Sequence, residues 1–475
     1  MTNPLTMLSL IVIIPFLGML FVLTSKDDNQ QKIRNSSSTA IFTILSNIIM
    51  IWQIFAVTRE GGDSQLVEKL MWFKYLDINM VFAVDNMSLL LILAVHIITL
   101  CGIVFVPSET TKQKSMMAFS LLFLSMITGL FISNDIFSFT IFFEAMLIPL
   151  FMLIGIHGGV KKTSSLKGFF IYNFIGCIIL VLAVLKIYNN FGCLTLDAIR
   201  DLSYKKQNIT FIWILLALSF MFRIPIWPFH YFISSINSKI HNPLIFIATA
   251  LLPLSGLYGL YRFWPHYIPL EISQYFVWVN VIGVLTMLFI SLIAFSNPDS
   301  HYRVFAYATI YYVMYLLGIF SQNKNVFDNL SYALFGFLLV LGGIVAVCSY
   351  IYHQEQKFAS TSQGFLCRAR RLSLIYSFLV FSAIGFPVSS MFTNNFLILS
   401  ELLSVNIHLG AVLAVSWIIV SISLIMEMLR LKTDNKECQF GKSEDLPKLH
   451  FIFMLVVVFM LLMSFIHPWW FVIWA

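Results

Sequence analysis

The sequence has little charge. Of its 475 residues, 11% are charged and 59% apolar, where an ordinary soluble domain has about 25% and 45–50%. With a mean hydropathy of +0.88, this excludes a water-soluble enzyme. Six cysteines (Cys101, Cys177, Cys193, Cys348, Cys367 and Cys438) lie far apart with no C-x-x-C pair, which excludes a disulfide framework and argues against a metal or iron-sulfur site. Also missing are a G-x-x-x-x-G-K-[ST] phosphate loop, a G-x-G-x-x-G after a strand and an H-E-x-x-H pair, so no cofactor is expected in this chain. The formal charge of +7 is spread over short connections rather than gathered on a patch with aromatic platforms, which excludes a nucleic-acid partner. Residues 1–23 lack a basic start and a small-residue cleavage site, so the segment reads as a retained first span.

What the sequence has instead is long apolar runs of the roughly 20 residues that cross a bilayer as helix. Bounded by charge, Gly, Pro or Asn clusters, they predict an all-α, polytopic membrane protein of about 14 spans. The spans fall near 5–23, 39–57, 87–106, 115–133, 136–156, 168–188, 209–240, 243–263, 274–295, 303–321, 328–352, 372–405, 408–430 and 449–466. The tail from His467 to Trp474, with three tryptophans, suits a headgroup anchor. About nineteen basic residues fall in the odd-numbered connections and about eight in the even ones, so the odd connections are expected on the cytoplasmic or matrix side and both termini on the periplasmic or intermembrane side. With Lys239, Arg262, Arg303 and Arg430, at the very ends of their runs, counted in the connections, Lys186 and Arg223 are left as the basic residues within spans.

Two spans are interrupted. In the seventh, Arg223-Ile-Pro225-Ile-Trp-Pro228-Phe-His230 carries two prolines, each removing an amide donor and crowding the preceding turn. In the twelfth, Gly385-Phe-Pro387 leads into Ser389, Ser390, Thr393, Asn394 and Asn395. Unpaired backbone survives at membrane depth only inside protein or beside a water-filled cavity. The first break comes about 110 residues after the start of span four and the second about 113 after the start of span nine, so the two five-span sets read as repeats; an odd number of spans inverts the second copy. The expected organisation is an N-terminal three-helix segment (1–114), a first five-helix repeat (115–263), a second, inverted repeat (274–430) and a C-terminal helix with its tail (431–475).

Glu144 stands among apolar neighbours within span five. A carboxylate at the bilayer centre costs at least about 2.5–3.5 kcal/mol, so it reads as functional with a buried partner, and Arg223 is the available opposite charge. The bland alternative is a structural ion pair. Arginine stays charged, so Arg223 can gate or bias a proton but cannot hand one on. His230 could bridge protons or satisfy carbonyls exposed at the break. His96 reads as a satisfied core or interface residue, Lys186 as a side chain that reaches the interface from its span's end, and Glu401 and Glu427 as residues near an interface.

The chain resembles the proton-translocating antiporter-like membrane subunits of respiratory complex I. The resemblance is carried by Ala83-Val-Asp85-Asn-Met-Ser88-Leu, Ser133-Asn-Asp135 through Glu144-Ala-Met-Leu-Ile-Pro149, Pro225-Ile-Trp-Pro228-Phe-His230, Gly256-Leu-Tyr-Gly259-Leu-Tyr-Arg262-Phe, Ala306-Tyr307 and Gly385-Phe-Pro387 through Phe396-Leu-Ile-Leu, in family order over about residues 80–400. It implies fourteen helices, two inverted five-helix repeats and discontinuous helices 7 and 12. It implies a role in proton movement for Glu144, with Arg223 where the family usually has a lysine. It also implies partners in the other membrane-arm subunits, the lipid bilayer and protons, with NAD, FMN, iron-sulfur clusters and quinone held by partner subunits. The setting implied is a bacterial or mitochondrial inner membrane. Several family positions are neutral here: Leu252-Pro253-Leu254 replaces the eighth-span lysine, Tyr312 and Phe335 fall where histidines are usual, and Asn395 replaces an ionisable residue. The alternatives are a pathway that has decayed, a subunit of a multisubunit cation/proton antiporter, or a non-conducting structural or assembly paralogue.

Overall fold

The computed structural model describes residues 7–25, 35–58, 65–73, 78–107, 110, 112–158, 162–192, 194–196, 209–230, 242–263, 275–321, 323–358, 365–387, 389–433 and 445–466. The tryptophan-rich tail and the stretch after His230 lie outside these residues. Eleven described helical segments, Ile136–His157 counted as one, are long and apolar enough to cross a membrane. In chain order the first elements are α1 (Met7–Thr24), α2 (Asn35–Val57), the strands β1 (Gln65–Phe73) and β2 (Ile78–Val84), α3 (Asn86–Val104), α4 (Gln113–Ile132), α5 (Ile136–Ala145), α6 (Leu147–His157) and α7 (Lys162–Phe191). There follow α8 (Ile209–Met221), α9 (Pro243–Phe263), α10 (Phe276–Ser296), α11 (Ser300–Phe320), α12 (Lys324–Phe358), the single turn α13 (Phe365–Arg368), α14 (Arg370–Ile384), α15 (Ser390–Val405), α16 (Ile407–Lys432) and α17 (Lys448–Ile466).

Burial divides these helices into an inner and an outer set. The apolar windows of α3, α11 and α12 are wholly buried and that of α9 is 94% buried, whereas those of α1, α2, α7 and α16 are 33% buried. The outward faces carry Phe42, Trp52, Trp278 and Leu374, each more than half exposed. So much exposed apolar surface suits acyl chains or neighbouring subunits rather than water. Inside, backbone groups are satisfied along each helix, as a medium without water requires.

The breaks fall where the prolines put them. α8 ends at Met221, and residues 222–230 continue in tight turns, with Arg223 and Ile224 amides donating to Phe220 and Met221 carbonyls. The peptide between Trp227 and Pro228 is cis. The twelfth span is two helices, α14 and α15, parted at Gly385, which adopts φ +86°. That left-handed conformation costs a non-glycine residue about 1–2 kcal/mol. A side chain there would also strike Trp417, 2.8 Å from the position of its Cβ.

The sequence did not announce two features. The fifth span is interrupted at Met146, between α5 and α6, because Pro149 in the first turn of α6 has no amide to donate to the end of α5. The connection before α3 is an antiparallel hairpin, pairing Gln65 with Val84 and Phe73 with Ile78. Its Glu68 carboxylate accepts from the Leu8 and Ser9 amides and the Ser9 hydroxyl (2.7, 3.2 and 2.7 Å). An acid on the free amides of a helix start is favourable, so the hairpin caps α1.

Candidate functional site

Three elements converge below the Met146 interruption. Glu144 lies in the last turn of α5, Arg223 in the turns that follow α8, and Ser255 in the middle of α9. An Arg223 Nη2 stands 3.5 Å from Glu144 Oε1, with side-chain exposures of 2% and 22%. Its Nη1 donates to the Ser255 hydroxyl at 3.3 Å, and the guanidinium stacks 3.4 Å from the centroid of the Phe143 ring. Cys177 of α7 comes within hydrogen-bonding reach of Glu144. Gly256 lets α9 approach so closely: a Cβ there would lie 2.5 Å from the Phe220 carbonyl and 3.1 Å from Arg223 Cβ.

The pair is loose. At 3.5 Å it is longer than a charge-assisted hydrogen bond of about 2.7–2.9 Å, and neither Glu144 Oε1 nor Arg223 Nη2 has a hydrogen-bond partner among the described residues. A small rotation of Arg223 would close or open the contact. This is the geometry of a carboxylate whose charge balance depends on where a cation sits.

His230 is at the far end of the same break, with its ring edge on Phe289 and its Nδ1 without a hydrogen-bond partner among the described residues. No described contact joins it to Glu144 or Arg223. His96 has a structural surrounding: its Nδ1 faces the Ile92 carbonyl at 2.7 Å, and the Asn47 amide nitrogen meets its Nε2 at 2.8 Å while also donating to the Ile11 carbonyl. It ties α1, α2 and α3 together. Lys186 is exposed on α7.

The second break has a different chemistry. The Tyr311 hydroxyl donates to the Ala383 carbonyl at 2.6 Å and faces the Asn395 amide nitrogen at 3.4 Å. Both amide atoms of Asn394 and the Asn395 oxygen are buried without a hydrogen-bond partner among the described residues. Unsatisfied buried polar atoms usually mark bound water. Tyr307, Tyr311, Tyr312 and Tyr315 surround Phe337, and Tyr312 reaches the Ala250 carbonyl of α9 at 2.7 Å. Phe335 is fully buried.

Two arginines at the ends of spans are buried rather than solvated. Arg262 and Arg303, counted with the connections, are buried within helices at 5% and 6% exposure. Arg262 pairs with Asp85 at 2.5 Å and donates to Asn134 at 2.7 Å. Arg303 pairs at 2.5 Å with Glu427, which is 2% exposed. Charges within a turn of a run's end look solvated in a sequence; only the tertiary partner reveals them. Glu401 is half-buried and accepts from the Asn323 amide at 2.6 Å.

A family model described as NADH:quinone oxidoreductase/Mrp antiporter, transmembrane, matches residues 133–421. The chain is 23% identical over 435 residues to NADH-quinone oxidoreductase subunit M of Rickettsia typhi, covering 89% of this chain and 87% of that one. It is 25% identical over 401 residues to NADH-ubiquinone oxidoreductase chain 4 of Marchantia polymorpha, covering 82% and 79%. Its fold is similar to that of a chain of respiratory complex I from Thermus thermophilus with bound NADH (TM-score 0.86, 19% identity, 98% and 96% covered). It is also similar to a chain of the membrane-bound sulfane sulfur reductase, an archaeal respiratory membrane complex (TM-score 0.82, 16% identity, 98% and 76% covered).

Proposed function

Because the chain belongs to the NADH:quinone oxidoreductase/Mrp antiporter transmembrane family, we propose that it is an antiporter-like membrane-arm subunit of an NADH-quinone oxidoreductase. In this reading it moves protons while electrons pass through partner subunits that hold NAD, FMN, iron-sulfur clusters and quinone. Relatives named as subunit M and chain 4, aligned over most of their length, support it. The single observation that carries it is the loose Glu144–Arg223 contact between two interrupted helices. Glu144 takes a proton when Arg223 turns toward Ser255 and gives it up when Arg223 returns. Arg223 keeps its own proton throughout and sets the electrostatic bias.

The reading further assigns 115–263 and 274–430 to two inverted five-helix repeats and the fourteen spans to one bundle in a bacterial or mitochondrial inner membrane. What supports it is that helices end at Met221 and at Ile384, before Gly385, since paired discontinuous helices are a feature of ion-coupled transporters. His230 belongs to the route as a bridging group at the first break.

The test is NADH-driven proton uptake by inverted membrane vesicles. Glu144→Gln is expected to lower the protons taken up per NADH oxidised while the subunit remains in the complex. An unchanged ratio with intact assembly overturns the reading and favours a structural paralogue, which the neutral residues of the second break would suit. Proton flux driven by a sodium or potassium gradient without NADH would favour a cation/proton antiporter subunit instead.

A further inference from the structure

Glu427 is more deeply buried than Glu144, 2% exposed against 22%. The other buried acids among the described residues are Glu68 and Asp135, at 8% and 0% exposure, and each caps backbone: Glu68 holds the Leu8 and Ser9 amides, and Asp135 holds those of Val81 and Ser138. Glu427 holds no backbone amide among the described residues. Its Oε2 meets Arg303 at 2.5 Å and its Oε1 accepts from the Ser300 hydroxyl. Arg303 is itself steadied by the Asn297 carbonyl, 3.0 Å from its Nε. The other titratable groups that face Glu427 are Cys348 of α12 and Tyr376 of α14, themselves in hydrogen-bonding reach of each other.

Ser300 has a second neighbour. It lines a cavity of about 210 Å³, whose walls also include Asp299, His301, Tyr352, Glu355 and Arg430. With one water's share of liquid volume about 30 Å³, such a space holds several waters, and its polar walls suit them. The buried acid is thus one hydroxyl away from a water-sized space, an arrangement that an ion pair serving only to clamp α11 against α16 does not require.

We propose that Glu427 is a proton-loading site of the second half of the chain, filled from this cavity through the Ser300 hydroxyl. The proposal rests on the proton-moving reading above and names the acid that serves the half whose central break carries Tyr311, Tyr312 and Asn395. In the step, a hydronium in the cavity gives a proton to Ser300 Oγ as that hydroxyl passes its own to Glu427 Oε1. Hydronium becomes water, the carboxylate becomes a neutral carboxylic acid, and the serine is regenerated by rotation of its hydroxyl. Arg303 keeps its charge and its Asn297 contact. Net, one proton moves from the cavity to Glu427, and its return resets the pair.

The test uses the whole complex in inverted vesicles and compares Ser300→Ala, Glu427→Gln, Glu427→Asp and Glu144→Gln for protons taken up per NADH oxidised. If the two halves act in series, Ser300→Ala and Glu427→Gln lower the ratio to the value of Glu144→Gln. The double substitution Glu144→Gln with Glu427→Gln goes no lower, and Glu427→Asp restores uptake. Ser300→Ala leaves the Arg303–Glu427 pair in place, so it decides the matter where Glu427→Gln fails to assemble. A lowered ratio in Glu144→Gln beside a wild-type ratio in Ser300→Ala overturns this proposal and leaves the general reading standing. A wild-type ratio in Glu144→Gln sinks the general reading.

Discussion

Arg223 is held by three unlike groups: a carboxylate, a hydroxyl and an aromatic face. Each is weak enough to exchange for another, and a lysine could not stack and donate to both sides at once, because its charge is a point rather than a plane. Breaking a fully buried ion pair costs about 3–5 kcal/mol. Glu144 is 22% exposed, so Arg223→Leu is expected to cost less, about 1–3 kcal/mol, the price of a buried polar group left unpaired. Glu144→Gln in the same chain should recover most of that loss, because the stranded charge is gone. A double-mutant cycle on the thermal stability of the purified subunit measures the coupling; additive single effects would show that the two side chains do not feel each other. Both residues were legible in the sequence because each interrupts a long apolar run. Arg303 and Glu427 were not, since each lies within a turn or two of a run's end, where the same letters usually face water.

At the scale of elements, what could be read and what could not divides along backbone chemistry. Proline acts through its own ring and missing amide, so Pro225, Pro228 and Pro387 announced their breaks without any knowledge of neighbours. Met146 is an ordinary helix former, and its interruption follows from Pro149 three residues on, a position a helix can equally tolerate in its first turn. The hairpin was hidden for another reason. Gln65–Phe73 has no clean alternation, and its two register irregularities erase the period of two by which a strand is recognised. What holds it in place is Glu68 on the start of α1, a contact sixty residues away in the chain. The second break is the more tightly specified of the two. Gly385→Ala meets both a left-handed backbone and the Trp417 ring, so it is expected to destabilise by more than the roughly 1–2 kcal/mol of the backbone alone. The thermal unfolding midpoint of the purified subunit is the readout, and an unchanged midpoint would mean that α14 and α15 can rejoin without Gly385.

For the whole molecule, two of the three arginine pairs, those of Arg262 and Arg303, constrain how the chain lies in the membrane. Arg262 closes the end of α9 against Asp85 and Asn134, and Glu427, near the end of α16, meets the start of α11. If the proposed fourteen spans cross alternately, α9 and α16 end on opposite faces, so one pair fastens each surface. The excess of lysine and arginine in the odd-numbered connections then gives the faces their names. The topology proposed on this basis has both termini and the α9 end outside, and the α16 end, with the cavity beside Ser300, inside, where protons would be collected. Reporter fusions in a bacterial host test this directly. Alkaline phosphatase joined within 264–274 is expected to be active and green fluorescent protein there dark, whereas fusions within 434–444 should show the reverse. The opposite pattern at both sites would place the Ser300 cavity on the outer surface, and Glu427 would then release protons rather than load them.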